Sequence, residues 1–395
     1  MKTWGLDESQ RQPSVSPGIS RREFLRGLGA VAAGLLAAGC SPNGVVETIA
    51  SVSTARPAGV LTPTTDVPTP SPAARVAIAR AERYERDLVR RQVQALLDRL
   101  GGLEDVVGPG DRVAIKVNLT GGAHFDPPPG ASAVESYLTH PEVVRALGEL
   151  LRDAGARDVF IVEAVYDRES YGSFGYEELA EVLGATLIDL NDPHPYGDFT
   201  SAPVGDGGLV YEEFVFHRIL EEIDAFVSVG KMKCHFNCGV THSMKNLIGL
   251  VPVSHYRLSE DHWWRSALHG QSHDEAGTRL PRIIVDLNRA RPIHLALIDG
   301  IKTAEGGEVP RGTFNPVEPG MLIAGKDPVA ADAVATAAMG FDPAAEPPAA
   351  PFLRADNYLN LACELGLGTN RLEEIEVVGG SIDDVRYEFE PSREM

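Results

Sequence analysis

From Val229 to Leu250 the chain reads VGKMKCHFNCGVTHSMKNLIGL, with three lysines, two histidines and two cysteines between an apolar strand-like run and a run that ends at glycine. Alternate residues of an extended segment share a face, so Lys231, Lys233 and His235 present cationic groups to one side. Lys245 and Asn246 follow on Gly239 to Leu250, a stretch whose pattern predicts a helix. Backbone N–H groups at a helix start, joined by ammonium groups, make a pocket for a carboxylate or a phosphate. The implied chemistry is the handling of a small anion. His235 would act as acid/base with Lys233 and Lys245 as catalytic partners, while Lys116, Asn118, Lys231, Thr241, Asn246, Asp299 and Glu305 would hold the substrate.

Two other readings compete for the same residues. The lysines would equally serve as buried structural bridges to Glu163, Asp299 or Glu305, since ion-pair networks also use such groups. Alternatively Cys234, Cys238 and His242, spaced i, i+4, i+8, would hold a divalent metal if one helical face carried all three. Gly239 interrupts that face, and two buried thiols or a Cys234–Cys238 link would use the cysteines as well. Asp299, Glu305 and Asp332 offer hard oxygen ligands for Mg²⁺. Asp332 lies inside an Ala/Val-rich stretch and needs a partner, for which Lys245 or Lys233 would serve, whereas Asp327 before Pro328 reads as a helix N-cap. No cysteine run of the iron–sulfur kind occurs.

These groups must be positioned by a larger body. The 395 residues are 43% hydrophobic, enough for a substantial core. Apolar strands and amphipathic helices alternate from about Arg75 onward: strands at 75–80, 112–118, 158–163, 185–190, 224–229, 293–298, 321–324 and 375–378, and helices at 82–100, 142–154, 176–183, 280–290, 328–339 and 357–365. This alternation predicts an α/β sandwich with a mainly parallel sheet and helices on both faces. In such sheets ligands bind beyond the carboxyl ends of the strands. Lys116, Asn118, Glu163, Lys231, Lys233 and Asp299 all fall at or just past such ends. The segment from Ser254 to Thr278, with His255, His262, Trp263, Trp264, His269 and His273, reads as a lid over that edge or as a surface loop. The formal net charge of -20 argues against nucleic acid as a partner.

The N-terminus is an address. Ser20-Arg21-Arg22-Glu23-Phe24-Leu25-Arg26 resembles a twin-arginine export motif, and the apolar run from Gly27 to Gly39 is too short for a permanent span. It ends at Ala37-Ala38-Gly39-Cys40, which resembles a lipobox whose Cys40 is lipidated. Residues 1–40 are therefore expected to be a signal peptide recognised by the twin-arginine translocase. A Ser/Thr/Pro-rich tether is expected at 41–74, and the α/β domain at 75–395. The expected location is the cell envelope, either on the outer face of the cytoplasmic membrane through the lipid or in the periplasm.

Lys231-x-Lys233-x-His235, then Gly239-Val240-Thr241 and Lys245-Asn246-x-x-Gly249, resembles the signature of the domain of unknown function 362 family. Lys116-x-Asn118, His140-Pro141-Glu142, Asp299-Gly300 with Glu305-Gly306, and Asp327-Pro328-Val329-Ala330-x-Asp332 extend the resemblance over about 112–378. The resemblance implies no assigned activity. Many relatives carry ferredoxin-like iron–sulfur segments that this chain lacks, and Cys234 and Cys238 stand outside the family pattern. Three readings stay open: an envelope enzyme acting on a small anion, a lipoprotein that binds an anionic ligand or metal without catalysis, and a redox or metallocofactor protein.

Overall fold

The computed structural model describes residues 74–393. The twin-arginine motif, Cys40 and nearly all of the tether lie outside the described residues. In chain order the principal elements are β1 (Ala74–Arg80), α1 (Arg86–Arg99), β2 (Arg112–Lys116), α2 (Pro141–Asp153), β3 (Asp158–Glu163), α3 (Tyr176–Leu183) and β4 (Thr186–Asp189). A hairpin of β5 (Thr200–Pro203) and β6 (Glu213–Phe216) precedes β7 (Ala225–His235), β8 (Gly239–Thr241), α4 (His273–Ala290), β9 (Leu295–Glu305), β10 (Asn315–Val317) and β11 (Met321–Gly325). The chain continues through α5 (Pro328–Ala338), α6 (Tyr358–Glu364) and β12 (Ile375–Val378).

One ten-stranded sheet runs in the order β12-β1-β11-β9-β7-β2-β3-β4, with β10 on β9 and β8 on β7. The pairs β2/β3, β2/β7, β3/β4, β7/β9 and β1/β12 are parallel, and β11 is antiparallel to both neighbours. The fold is therefore the expected α/β sandwich. Two cores lie against the sheet. One takes Val89, Val93 and Leu96 of α1 with Val143, Val144 and Leu147 of α2, and the other takes Leu280, Ile283 and Leu287 of α4 with Val329, Ala333 and Val334 of α5. Strands covered on both faces must be apolar throughout, which is why β7 is buried along its whole length.

Two segments differ from their sequence reading. Gly239 to Leu250 is no α-helix: β7 turns back at Gly239, whose φ is 77°, into β8, and a 3₁₀ segment follows at Lys245–Leu250. Pairing of Lys233 with Thr241 and His235 with Gly239 uses the backbone groups a helix would need. The strand expected at 293–298 also runs further, because β9 continues through Asp299 to Glu305 and pairs Asn315 with Glu305. Among the described residues no helix is long and apolar enough to cross a membrane.

Candidate functional site

The carboxyl ends of β2, β3 and β7 meet at one edge of the sheet, and the polar groups predicted there sort by depth. Lys231, Lys233 and His235 share a face of β7, but each residue of strand rises about 3.3 Å, so they reach three levels. At the deepest level Lys231 Nζ donates to Asp299 Oδ2 at 3.0 Å and to Tyr84 Oη at 2.9 Å, with both partners of the ion pair fully buried. Tyr84 Oη donates to Asp299 Oδ1 at 2.9 Å, and its ring stacks on His140 at 3.6 Å between centroids. The structural-bridge reading holds at this level, and neither Lys231 nor Asp299 lines the cleft.

At the middle level lies a closed polar network. Lys116 Nζ donates to Glu163 Oε2 at 2.9 Å, to the Val117 carbonyl at 2.6 Å and to Asn246 Oδ1 at 3.1 Å. Asn246 Nδ2 donates to the Lys116 carbonyl at 3.0 Å and to Ser228 Oγ at 3.1 Å, tying β2 to β7. Lys233 Nζ donates to Asn118 Oδ1 at 3.2 Å and to the Tyr137 and Glu308 carbonyls at 2.7 and 3.0 Å, with no carboxylate partner. Burial pushes Lys116 down to about 8 against the pull of Glu163, and pushes Lys233 well below the usual lysine range with Lys245 adding repulsion.

Above this floor opens a cleft of about 800 Å³, lined by Lys116, Asn118, Glu163, His235, Lys245 and Asn246 from the sheet edge. Its other wall is the segment from Leu258 to His273, including Trp263, Trp264, Arg265 and His269. Of the two readings of that segment, its place in the cleft wall favours a site-facing insertion over a surface loop apart from the site. Arg265 is 2% exposed and donates to the Val251 and Ala164 carbonyls, both at 2.6 Å, while its guanidinium lies 5.3 Å from the Tyr166 ring centre. Trp263 packs edge-on against the same Tyr166 ring and Trp264 against His269. Tertiary packing thus accounts for one face of each tryptophan.

Backbone partners fix the tautomers of two cleft histidines. Nδ1 of His235 accepts from the Asn237 N–H at 3.1 Å, so in the neutral ring Nε2 carries the proton. Nδ1 of His269 lies 3.1 Å from the Arg265 carbonyl, which only accepts, so Nδ1 is the protonated nitrogen and Nε2 holds a free lone pair. Burial, reinforced by Lys245, holds His235 well below the usual histidine range. His269 is lowered to about 4, chiefly by burial. Both rings are neutral at pH 7, one a donor and the other an acceptor.

The charge balance of the cleft is cationic. Lys116 is cancelled by Glu163, and against Lys245, Arg265 and Arg311 the lining offers one further carboxylate, Glu308, whose Oε1 lies 3.8 Å from His235 Nε2. Neither Lys245 nor Arg265 makes an ion pair with any described residue. Cations left unpaired inside a protein of net charge -20 are what an anionic ligand would neutralise.

Residues 113–337 match the family described as domain of unknown function, DUF362. The chain belongs to that family. A thylakoid-associated protein of Synechocystis sp. is 28% identical over 282 residues, covering 69% of this chain and 76% of that one. Among solved structures, a Thermotoga maritima protein from a structural genomics effort aligns with TM-score 0.33 and 13% identity, over 73% of this chain and 60% of that one. The lactate racemase apoprotein of Thermoanaerobacterium thermosaccharolyticum aligns with TM-score 0.34 and 15% identity, over 64% of this chain and 56% of that one.

Of the DUF362 signature residues, His235, Lys245, Asn246, Lys116 and Asn118 line the cleft and Lys233 braces its floor through Asn118. Others lie elsewhere. Glu305 accepts from Asn315 Nδ2 and the Glu390 N–H, and Thr241 is buried on β8 beside Lys233 of β7. Asp332 accepts from the Ser243 and Met244 N–H groups and from Tyr358 Oη, not from Lys233 or Lys245. Asp299, Glu305 and Asp332 thus have separate partners and form no Mg²⁺ cage. Asp327 is the expected N-cap, accepting from the Ala330 N–H at 3.0 Å.

The triad Cys234, Cys238 and His242 is likewise not assembled. Among the described residues no group of three or more His, Cys, Asp or Glu side chains is placed to hold a metal. Cys234 and Cys238 are free thiols sunk in the apolar core, Cys234 donating to the Glu390 carbonyl, and burial pushes both up to about 12, away from the thiolate a metal needs. The strand reversal at Gly239 breaks the helical spacing on which that reading depended. Arg265, Glu308 and the tautomer of His269 escaped the sequence reading. Arginine is common along this chain, and only the packed lid reveals which one enters the cleft.

Proposed function

We propose that this DUF362 chain is an exported, lipid-anchored enzyme that binds a small anionic metabolite in the cleft and moves a proton on it. The observation that carries this reading is the pair of cations without carboxylates, Lys245 and Arg265, beside two neutral histidines of opposite tautomer. Lys245 and Arg265 would neutralise the anion. The Nε2–H of His235 would donate to a developing oxyanion, and the Nε2 lone pair of His269 would accept the proton. Asn246 braces the Lys116–Glu163 pair and Asn118 holds Lys233, and together they keep the floor rigid. Export through the twin-arginine translocase and anchoring at Cys40 are supported by the N-terminal motifs, and the thylakoid association of a relative supports a membrane-facing site of action.

Calorimetry and native mass spectrometry of the full chain with inorganic phosphate and malonate test the binding half of this proposal. At least one anion is expected to bind, and Lys245→Met should weaken it at least about tenfold, equivalent to about 1.4 kcal/mol. Binding unaffected by Lys245→Met would overturn the assignment. His235→Ala should leave anion binding within about threefold, since a neutral donor contributes far less to ground-state affinity than a charge.

A further inference from the structure

The chain has 36 basic residues but only seven lysines: Lys2, Lys116, Lys231, Lys233, Lys245, Lys302 and Lys326. Basic charge outside the sheet edge is carried mostly by arginine, while four of the seven lysines lie at that edge and two of them, Lys116 and Lys245, line the cleft. Their partners differ sharply. Lys116 and Lys231 are held by Glu163 and Asp299, and Lys233 by three oxygen acceptors. Lys302 lies 3.3 Å from Glu318 and 3.5 Å from Glu135, and Lys326 pairs with Asp105. Among the described lysines only Lys245 has no hydrogen bond and no ion pair, and it lines the cleft.

An ammonium without an acceptor is poorly placed as a structural charge. An amine with a free lone pair beside other cations is well placed as a nucleophile. Burial lowers Lys245, with Arg265 adding repulsion and Cys238, Glu308 and Glu163 opposing it. Lys116, Lys233, His235 and His269 all feel its charge in turn. We propose that Lys245 is a carbonyl-reactive nucleophile, which takes an anion bearing an aldehyde or ketone group as an imine on Nζ.

The proposal rests on the anion-binding reading of the cleft and adds a bond to it. Lys245 first releases its ammonium proton to solvent, and the Nζ lone pair then adds to the carbonyl carbon while the C=O π pair moves to oxygen, which the Nε2–H of His235 hydrogen-bonds. His269 Nε2 takes a proton from the nitrogen and returns it to that oxygen, giving a carbinolamine. The C–O bond then breaks and the oxygen leaves as water as the nitrogen pair forms C=N. A second proton moves from nitrogen to the leaving oxygen by the same relay, and no oxidant or reductant is consumed. Arg265 supplies the charge for the anionic group.

Pyridoxal 5′-phosphate is the probe, an aldehyde carrying a phosphate, and pyridoxine 5′-phosphate is the same anion without the aldehyde. The full chain is incubated with each, reduced with borohydride and mapped by peptide mass spectrometry. Expected is one pyridoxyl group on Lys245, formed about tenfold faster at pH 7 than on Lys302 or Lys326, blocked by pyridoxine 5′-phosphate and absent in Lys245→Arg. The ratio of Lys245 to Lys302 labelling should grow as pH falls from 9 to 7, because Lys302 is raised and Lys245 lowered. If pyridoxine 5′-phosphate binds while Lys245 is labelled no faster than Lys302, the nucleophile is refuted and the anion cleft stands. If none of pyridoxine 5′-phosphate, inorganic phosphate and malonate binds, the anion cleft falls and this proposal with it. The labelled position is read on the wild-type chain, so the test does not depend on the variant folding.

Discussion

Replacing Lys116 and Glu163 together by Met and Leu removes the buried ion pair at the cleft floor without leaving either charge orphaned. In the folded chain Lys116 is held at about 8, against 10.5 for an ordinary lysine, because burial outweighs the pull of Glu163. Below pH 8 the side chain is charged in both the folded and unfolded states, and the folded state bears the full desolvation penalty. Between pH 8 and 10.5 the unfolded chain binds the proton and the folded chain does not, so stability rises with pH. At about 1.4 kcal/mol per pH unit the gap amounts to about 3 kcal/mol. Lys116→Met/Glu163→Leu should lack that rise. The loss of an acceptor for the Leu119 N–H, now 3.1 Å from Glu163 Oε2, adds a pH-independent cost of about 1 to 3 kcal/mol. The assay is urea denaturation of the full chain at pH 7.5, 8.5, 9.5 and 10.5 for both proteins, read as midpoint with the slope m unchanged. Wild type should gain on the variant by about 3 kcal/mol across that range. Parallel stability curves would mean that Lys116 is not held low, and the buried network would have been misread.

Asp332→Ala should destabilise the fold by about 3 to 5 kcal/mol in urea denaturation, because the buried Ser243 and Met244 N–H groups and Tyr358 Oη lose their acceptor together. A loss below about 1 kcal/mol would contradict that account. His269 should titrate near 4 in the empty chain by ring-proton NMR and move upward when malonate binds, since an anion favours the imidazolium. An unmoved value with malonate bound would separate His269 from the anion. At Gly249 a Cβ would strike the Glu163 carboxylate and sit 2.7 Å from Lys116 Nζ, although the backbone there is not left-handed. Gly249→Ala should therefore cost about 1 to 3 kcal/mol by differential denaturation instead of the small gain usual for that exchange, and a gain would mean the pair yields freely.

The sequence by itself determined the layers, the edge of the sheet that carries the candidate site and the family. Apolar runs of strand length alternating with helical patterns leave few arrangements other than a two-faced parallel sheet, and period-2 spacing places Lys231, Lys233 and His235 on one face wherever β7 lies. Tertiary structure alone decided what each of them does. Depth along β7 turns Lys231 into a sealed bridge to Asp299 and Lys233 into a brace, and leaves His235 at the cleft. Such depth depends on partners such as Tyr84, Tyr137 and Glu308, 75 to 147 residues away in the chain. The reversal at Gly239 was hidden because short apolar and glycine-bearing runs fit helix and hairpin alike until β7 supplies hydrogen bonds for β8. The separation of Cys234, Cys238 and His242 follows from that reversal, and the entry of Arg265 and His269 into the cleft follows from how the lid packs, through contacts that no local pattern encodes.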